Sequence, residues 1–242
     1  MTDDPFTHHP GLRGRITDPL TSFFRTFRPS DFDAAMEAAG RPADWRYSDA
    51  ERETRRKAAL AGRLDADIWV FAYGSLMWDP AFVYAEVRRG RIAGYARRFC
   101  LSETYARGTP DAPGLMAGLD DIHDGGPGCE GLVFRIAAEA VDRETEILWR
   151  REGLGSAYRP VFAPVTTAHG AVEALAFVAD HASPVIFPDL TRDEQVKLIA
   201  TGVGVLGSSR EYLENIASQF AALGIDDAEV TGLLEDVRGY RG

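Results

Sequence analysis

The chain has 242 residues, of which 45% are hydrophobic, so it is long enough to bury one substantial core. Its formal net charge of −10 argues against a nucleic-acid-binding surface, which requires a basic stripe. Cys100 and Cys129 are too few and too far apart for a disulfide framework or a Cys-x-x-Cys metal site. No apolar run is long enough to cross a membrane. We therefore expect a cytoplasmic protein with no bound metal and no membrane contact.

Residues 1–66 differ in character from the rest of the chain. They contain eleven acidic and eleven basic side chains, so the net charge of −10 lies on residues 67–242. One helix is predicted in SDAERETRRKAAL, where Ser48 and Glu51 form a capping-box pattern. We interpret residues 1–66 as an accessory extension of a main domain at 67–242. The pattern leaves open whether the extension docks through its aromatic side chains or is a solvated, partly disordered arm.

From residue 68 onward, strands are predicted first and helices later. The predicted strands are IWVFAY, RRFCLS, GLVFRI, PVFAPVTT and VEALAFVA. The predicted helices are EAVDRETEILWRRE, TRDEQVKLIA, SREYLENIASQFAALG and DDAEVTGLLEDV. Thr191 with Glu194 caps the second helix, and Gly224 ends the third. This order favours an α+β fold over a βαβ repeat.

The segment WVFAYGSLMWDP starts as a buried strand and is interrupted at Gly74 and Ser75. The interruption is either a tight turn or a backbone cradle for a ligand, because glycine lets another group approach the main chain closely. Ser75 is not followed by the second glycine that a nucleophile elbow needs, so we do not expect it to be an acylating nucleophile.

The segment GVGVLG, residues 202–207, matches the Gly-x-Gly-x-x-Gly pattern of dinucleotide-binding loops. That mechanism requires a strand before the first glycine, and here a predicted helix precedes it. We interpret the segment as a connection between two helices and expect no dinucleotide cofactor.

One carboxylate continues the apolar face of a predicted helix. This face consists of Val141, Thr145, Leu148 and Glu152. Burial would raise the pKa of Glu152, as a general base working near neutral pH requires. The alternative is a structural ion pair between Glu152 and Arg150, Arg151 or Arg159.

Arg107 begins the stiff, proline-containing loop ARGTPDAPGL. Its guanidinium could bind a carboxylate, with Arg151 as the second candidate for this role. The alternative is an exposed arginine on a rigid surface loop.

Six segments in this order carry a family resemblance: WVFAYGSLMW, GYARRFC, RGTPDAPG, GCEGLVFRI, LWRREGLGSAYRP and GSSREYLENIASQFAALGIDD. They resemble the ChaC-type γ-glutamylcyclotransferases over about residues 68 to 237. The resemblance implies a mixed β-barrel-like fold with packed helices and a cofactor-independent enzyme that cleaves glutathione to 5-oxoproline and Cys-Gly. Two alternatives remain open: cleavage of other γ-glutamyl peptides or amines, and a non-catalytic regulator that binds γ-glutamyl metabolites.

The resemblance also implies a site. It places the γ-glutamyl group on Tyr73, Gly74, Ser75, Leu76, Met77 and Trp78, with Glu152 as the catalytic residue and Tyr212 in the pocket wall. We add Arg107 as the first candidate for the far carboxylate of glutathione. The expected partner is a small-molecule substrate, and a monomer is favoured.

Overall fold

Five strands close into a barrel in the computed structural model, which describes residues 4–40, 43–122, 126 and 128–242. The strands in chain order are β1 (Ile68–Ala72), β2 (Glu86–Ile92), β3 (Tyr95–Glu103), β4 (Gly114–Asp121), β5 (Cys129–Ile136), β6 (Tyr158–Thr167), β7 (Gly170–Ala179), β8 (Val203–Gly204) and β9 (Gly207–Ser208). The barrel order is β1-β5-β2-β6-β7, and a parallel pairing of β1 with β7 closes the ring. Closure removes the exposed edges of these five strands.

A hairpin and the helices surround the barrel. The helices are α1 (Phe23–Thr26), α2 (Asp33–Ala38), α3 (Asp49–Ala59), α4 (Val141–Glu152), α5 (Arg192–Thr201), α6 (Ser209–Leu223) and α7 (Ala228–Gly239). The β3–β4 hairpin joins the barrel where Leu119 of β4 pairs with Val178 of β7, and α5 and α6 pack against β4. The predicted α+β, barrel-like fold class is confirmed. Within the described residues, no helix combines the length and apolarity needed to cross a membrane.

Strand β1 is buried on both faces, which explains its continuous apolar sequence. Val70 and Ala72 belong to the large core shared with the helices. Phe71 and the following Tyr73 belong to a second cluster on the other face. The chain therefore leaves β1 at the boundary between two apolar clusters, and a cleft opens at this boundary.

The predicted helix ends are found in the structure. Thr191 and Glu194 form a complete capping box at the start of α5. Ser208 accepts a hydrogen bond from the backbone N–H of Glu211, and Gly224 ends α6 in the left-handed conformation with φ 62°. The glycine-rich segment 202–207 forms the small β8–β9 hairpin between α5 and α6, so its interpretation as a helix–helix connection is confirmed.

The described part of residues 4–66 packs onto the barrel and helices. Leu12, Ile16 and Leu60 are buried in the large core. Arg25 makes two hydrogen bonds to the fully buried carboxylate of Glu144 in α4. The division of the chain into units at residues 66 and 67 stays a prediction.

Candidate active site

A cleft of about 320 Å³, counting its open mouth, lies where the chain leaves β1. The lining residues come from four strands (β1, β4, β6 and β7), from the turn after β1 and from helices α4 and α6. They are Phe71, Tyr73, Gly74, Ser75, Leu76, Ala117, Glu152, Tyr158, Phe177 and Tyr212. The structure thus brings together six of the predicted site residues: Tyr73, Gly74, Ser75, Leu76, Glu152 and Tyr212.

The end of β1 is held in place by a buried arginine. The Arg97 Nε donates a hydrogen bond to the Tyr73 carbonyl at 2.8 Å, and its Nη2 donates to the Glu130 carbonyl at 2.6 Å. The Tyr73 hydroxyl donates to the Phe177 carbonyl at 2.9 Å. Because Tyr73 is fixed at its backbone and at its ring, the direction of the following turn is fixed as well.

Gly74 is required by the close approach of Tyr212. A Cβ atom at position 74 would lie 2.5 Å from the Tyr212 hydroxyl oxygen, which is shorter than any real contact of this kind. Residues 75–77 then form a single 3₁₀ turn, in which the Met77 N–H donates to the Gly74 carbonyl at 2.9 Å. The glycine that interrupts the apolar segment WVFAYGSLMWDP therefore leaves room for the Tyr212 hydroxyl to lie against the backbone at the cleft.

Glu152 is the last residue of α4, and its side chain is only 13% exposed. Burial raises the pKa of its carboxyl, while the positive charge of Arg151 opposes this effect. The C-terminal end of a helix carries partial negative charge, which further disfavours an ionised carboxylate there. The buried face predicted from the sequence is present, because Val141, Thr145 and Leu148 are at most 1% exposed.

Three tyrosines surround this carboxylate. Burial raises the pKa of Tyr212 to about 12 and that of Tyr73 and Tyr158 well above the usual value, and the negative charge of Glu152 contributes in each case. The three hydroxyls therefore stay protonated at neutral pH and can donate hydrogen bonds. Tyr158 was not predicted as a site residue. It is the first residue of β6, and the alternation of apolar and polar residues along a strand indicates which side chains are buried but not which of them reach a cleft.

Arg151 links the carboxylate to the turn after β1. Its Nε lies 3.0 Å from the Glu152 carboxylate, its Nη2 donates to the Ser75 Oγ at 2.5 Å, and its Nη1 donates to the Asp79 carbonyl. Glu152 is buried in the cleft and is also paired with Arg151, and its role as a general base stays a prediction. The guanidinium fixes the distance between the turn and the end of α4.

Three predicted site residues lie outside the lining of the cleft. Met77 is fully buried in the large core, because the 3₁₀ turn directs it away from the cleft. Trp78 packs edge-on against Tyr212, with ring centroids 5.6 Å apart, and so supports the wall from behind. Arg107 lies beside the cleft, where its Nη1 is 3.4 Å from the Ser208 carbonyl and 3.5 Å from the Glu211 carboxylate.

The pKa of Arg107 is affected by burial and by neighbouring charges. Burial lowers the pKa of its guanidinium, and among the smaller effects the negative charge of Glu211 raises this pKa and the positive charge of Arg151 lowers it. It lies on the segment between β3 and β4, which contacts the β8–β9 hairpin through Val205 N–H and the Tyr105 carbonyl. This position places Arg107 at the rim of the cleft.

Among the described residues, no group of three or more His, Cys, Asp or Glu side chains is arranged to hold a metal ion. His123 lies outside the described residues.

A small cleft with a buried acid and neutral tyrosines is typical of an enzyme that acts on a small molecule. Residues 68–240 match the family model described as ChaC-like protein, and the chain belongs to this family. The predicted family, fold and γ-glutamylcyclotransferase class of enzyme are confirmed.

Relatives with established names extend over most of the chain. It is 33% identical over 194 residues to a glutathione-specific γ-glutamylcyclotransferase of Escherichia coli K12, covering 79% of this chain and 82% of that protein. It is 31% identical over 154 residues to the human glutathione-specific γ-glutamylcyclotransferase 1, covering 62% of this chain and 68% of that protein. The crystal structure of a yeast γ-glutamylcyclotransferase specific to glutathione superimposes with a TM-score of 0.66 at 26% identity, covering 73% of this chain and 97% of that one.

Gly74→Ala is expected to lower the free energy of unfolding by about 1–3 kcal/mol, because the new methyl group overpacks the gap beside Tyr212. In a Tyr212→Phe background the penalty should shrink, since the next nearest ring atom, Cζ, is 3.7 Å from the new Cβ. Urea denaturation of the four proteins in this double-mutant cycle measures the effect. Gly11→Ala is the control, because a Cβ there meets nothing within 4 Å. Equal penalties in both backgrounds would contradict this explanation.

Proposed function

We propose that the protein cleaves glutathione to 5-oxoproline and Cys-Gly, with Glu152 as the general acid and base. The observation that carries the proposal is the buried, pKa-raised carboxylate of Glu152 facing the Tyr73–Gly74–Ser75 turn in one cleft. The names of the E. coli and human relatives support glutathione as the substrate.

The reaction is an intramolecular displacement. The α-amine of the γ-glutamyl group attacks its own γ-carbonyl carbon, the C–N bond of the ring forms, and the amide bond to the cysteine nitrogen breaks. Glu152 takes one proton from the α-ammonium group before the attack and a second from the ring nitrogen after it, and both protons pass to the leaving amine, which departs as an ammonium group. Because nucleophile and electrophile belong to one molecule, the enzyme's main task is to hold a folded conformer in which they are in contact.

The surroundings of Glu152 suit a group that must both accept and donate a proton. A carboxylate in water is too weak a base to hold a proton near neutral pH, and burial in the cleft corrects this by raising its pKa. The positive charge of Arg151 opposes this effect and favours the ionised form, which is the form that accepts the proton.

The turn after β1 supplies donors for negative oxygen atoms. The N–H groups of Ser75 and Leu76 begin the 3₁₀ turn, where the first N–H groups have no acceptor within the turn. In our proposal they bind an anionic oxygen of the substrate, which is either the α-carboxylate or the oxyanion that develops on the γ-carbonyl. Gly74 leaves the space that such an approach requires.

A second candidate is cleavage of other γ-glutamyl peptides or amines by the same chemistry. It is favoured by the position of Arg107, which pairs with Glu211 and the Ser208 carbonyl instead of lining the cleft. A non-catalytic regulator is disfavoured, because a protein that only binds has no use for a buried carboxylate whose ionised form is destabilised.

Glu152→Gln should lower kcat for 5-oxoproline release from glutathione by about 10²–10⁴-fold, because the amide cannot accept the proton. Product release followed by chromatography measures this. The matched control is Glu146→Gln on the same helix, whose side chain is 57% exposed and which should retain full activity. A wild-type protein without product would refute the proposed function, and an active Glu152→Gln variant would place the base elsewhere.

The pH dependence should report the raised pKa of Glu152. Activity requires the ionised form of Glu152. We therefore expect kcat/KM to fall as the pH is lowered, with the midpoint of this fall above the ordinary glutamate pKa of 4.5.

The raised pKa of Glu152 also has a consequence for stability. When the folded pKa exceeds the unfolded one, stability is lost as the pH rises through the folded pKa. Glu152→Gln should therefore unfold at a higher temperature than the wild type at pH 8, and the gap should close below pH 4.5. A gap independent of pH would contradict this reading.

Arg107→Ala should raise KM for glutathione by about tenfold with little change in kcat, if Arg107 binds the far carboxylate through a charged hydrogen bond. A γ-glutamyl amine without that carboxylate is the control substrate, and its KM should not change. Steady-state kinetics on both substrates measure the difference. An unchanged KM for glutathione would assign the far carboxylate to another group.

A further inference from the structure

The short helix α1 packs along α4, where Arg25 contacts Glu144 near the start of α4 and Phe24 contacts Arg151 near its end. The Phe24 ring covers the face of the Arg151 guanidinium, with 4.2 Å between Cζ and the ring centroid. Phe24 lies outside residues 68–240, which match the family model. A side chain from the N-terminal segment therefore contacts the arginine that joins Glu152 to the turn after β1.

Three polar contacts anchor this helix. Arg25 hydrogen-bonds the Glu144 carboxylate, whose side chain is fully buried, and its Nη1 also donates to the Ala81 carbonyl at 3.3 Å. The Arg150 Nη1 donates to the Phe27 carbonyl at 3.2 Å. A buried ion pair of this kind is costly to break, so the helix has a defined position against α4.

The contact leaves Arg151 little freedom. The edge of its planar guanidinium donates to Ser75 and to the Asp79 carbonyl and pairs with Glu152, while Phe24 covers one of its two faces. An aromatic face attracts a guanidinium and also excludes water from it. Water that is excluded from Arg151 no longer competes for its hydrogen bonds to Ser75 and Glu152.

We propose that the N-terminal segment forms an outer wall of the active site, in which Phe24 is a positioning residue that holds Arg151 against Ser75 and Glu152. This inference rests on the proposed function, since it assigns a role in the same reaction. Phe24 is not one of the residues that line the cleft, and in this proposal it acts on the reaction through Arg151.

The charged and titratable groups near Glu152 belong to α4 itself and to the elements packed around the cleft. These groups are Arg151 beside it on α4, Tyr73 after β1, Tyr158 of β6 and Tyr212 of α6, with Arg107 acting on Arg151 from the rim. The charged side chain of α1, Arg25, pairs with Glu144. Because Phe24 is uncharged, removing it alters the titration of Glu152 only by releasing Arg151, and this gives the proposal a specific readout.

Phe24→Ala should lower kcat/KM for glutathione by about threefold to tenfold, the effect of losing one partly buried cation–π contact. It should also move the acidic limb of the kcat/KM profile to higher pH, because a loosened Arg151 opposes the raised pKa of Glu152 less. Phe24→Leu tests the ring itself, since it keeps apolar bulk if the alanine variant folds poorly. Phe24→Tyr keeps the aromatic face and should restore the wild-type limb.

Phe23→Ala is the matched control. Phe23 is the neighbouring residue of the same helix, is 50% exposed and packs on other aromatic rings of the segment. It should leave the acidic limb where it is in the wild type. The proposal would be overturned if the acidic limb of the kcat/KM profile did not shift in Phe24→Ala and Phe24→Leu. It would also be overturned if Phe23→Ala shifted this limb equally.

A readout without activity separates this inference from the proposed function. The stability gap between the Glu152→Gln variant and its parent protein starts at the unfolded pKa and grows until the pH reaches the folded pKa. In a Phe24→Ala background the gap at pH 8 should therefore be larger and should level off at a higher pH, as measured by thermal unfolding of Phe24→Ala and Phe24→Ala/Glu152→Gln. If the wild type forms no product from glutathione, the proposed function fails, and this unfolding experiment alone decides the role of Phe24. An unmoved gap refutes it whether or not the protein is active.

Discussion

The candidate site depends on one carboxylate that is buried at the C-terminal end of a helix. Glu152 is held in a position that disfavours its charge, because burial and the helix end both destabilise the ionised form. Arg151 compensates in part, and the same guanidinium binds Ser75 and the Asp79 carbonyl. The Arg151 side chain therefore joins the end of α4 to the turn after β1.

The barrel supplies the rigid side of this arrangement. Closure through the β1–β7 pairing fixes β1, and Arg97 fixes the Tyr73 carbonyl where the chain leaves the strand. Gly74 is then the only kind of residue that fits beneath the Tyr212 hydroxyl. The carboxylate and the turn face each other because α4 and β1 belong to the same packed unit, and a ligand that fits between them meets preformed backbone donors.

Glycine close contacts also explain the misleading dinucleotide pattern. A Cβ on Gly204 would lie 2.2 Å from the Tyr105 carbonyl oxygen, and one on Gly202 would lie 2.4 Å from the Cα of Gly114. The β8–β9 hairpin thus packs its backbone against the segment that carries Arg107. The glycines of this segment serve packing between two loops at the rim of the cleft.

Local patterns in the sequence determined helices α3 to α7, the N-caps of α3, α5 and α6, five of the strands, and the inward face that ends at Glu152, because these features depend on side chains a few residues apart. The short helices α1 and α2 were not predicted. The arginine-rich β2 and the glycine-rich β4 were missed, since pairing with distant strands stabilises them more than their own alternation does. Barrel closure, the positions of Tyr158 and Phe177, the burial of Met77 and the contact of Phe24 with Arg151 were decided only by the tertiary structure. Each joins segments far apart in the chain, and no local periodicity records which distant surfaces pack together.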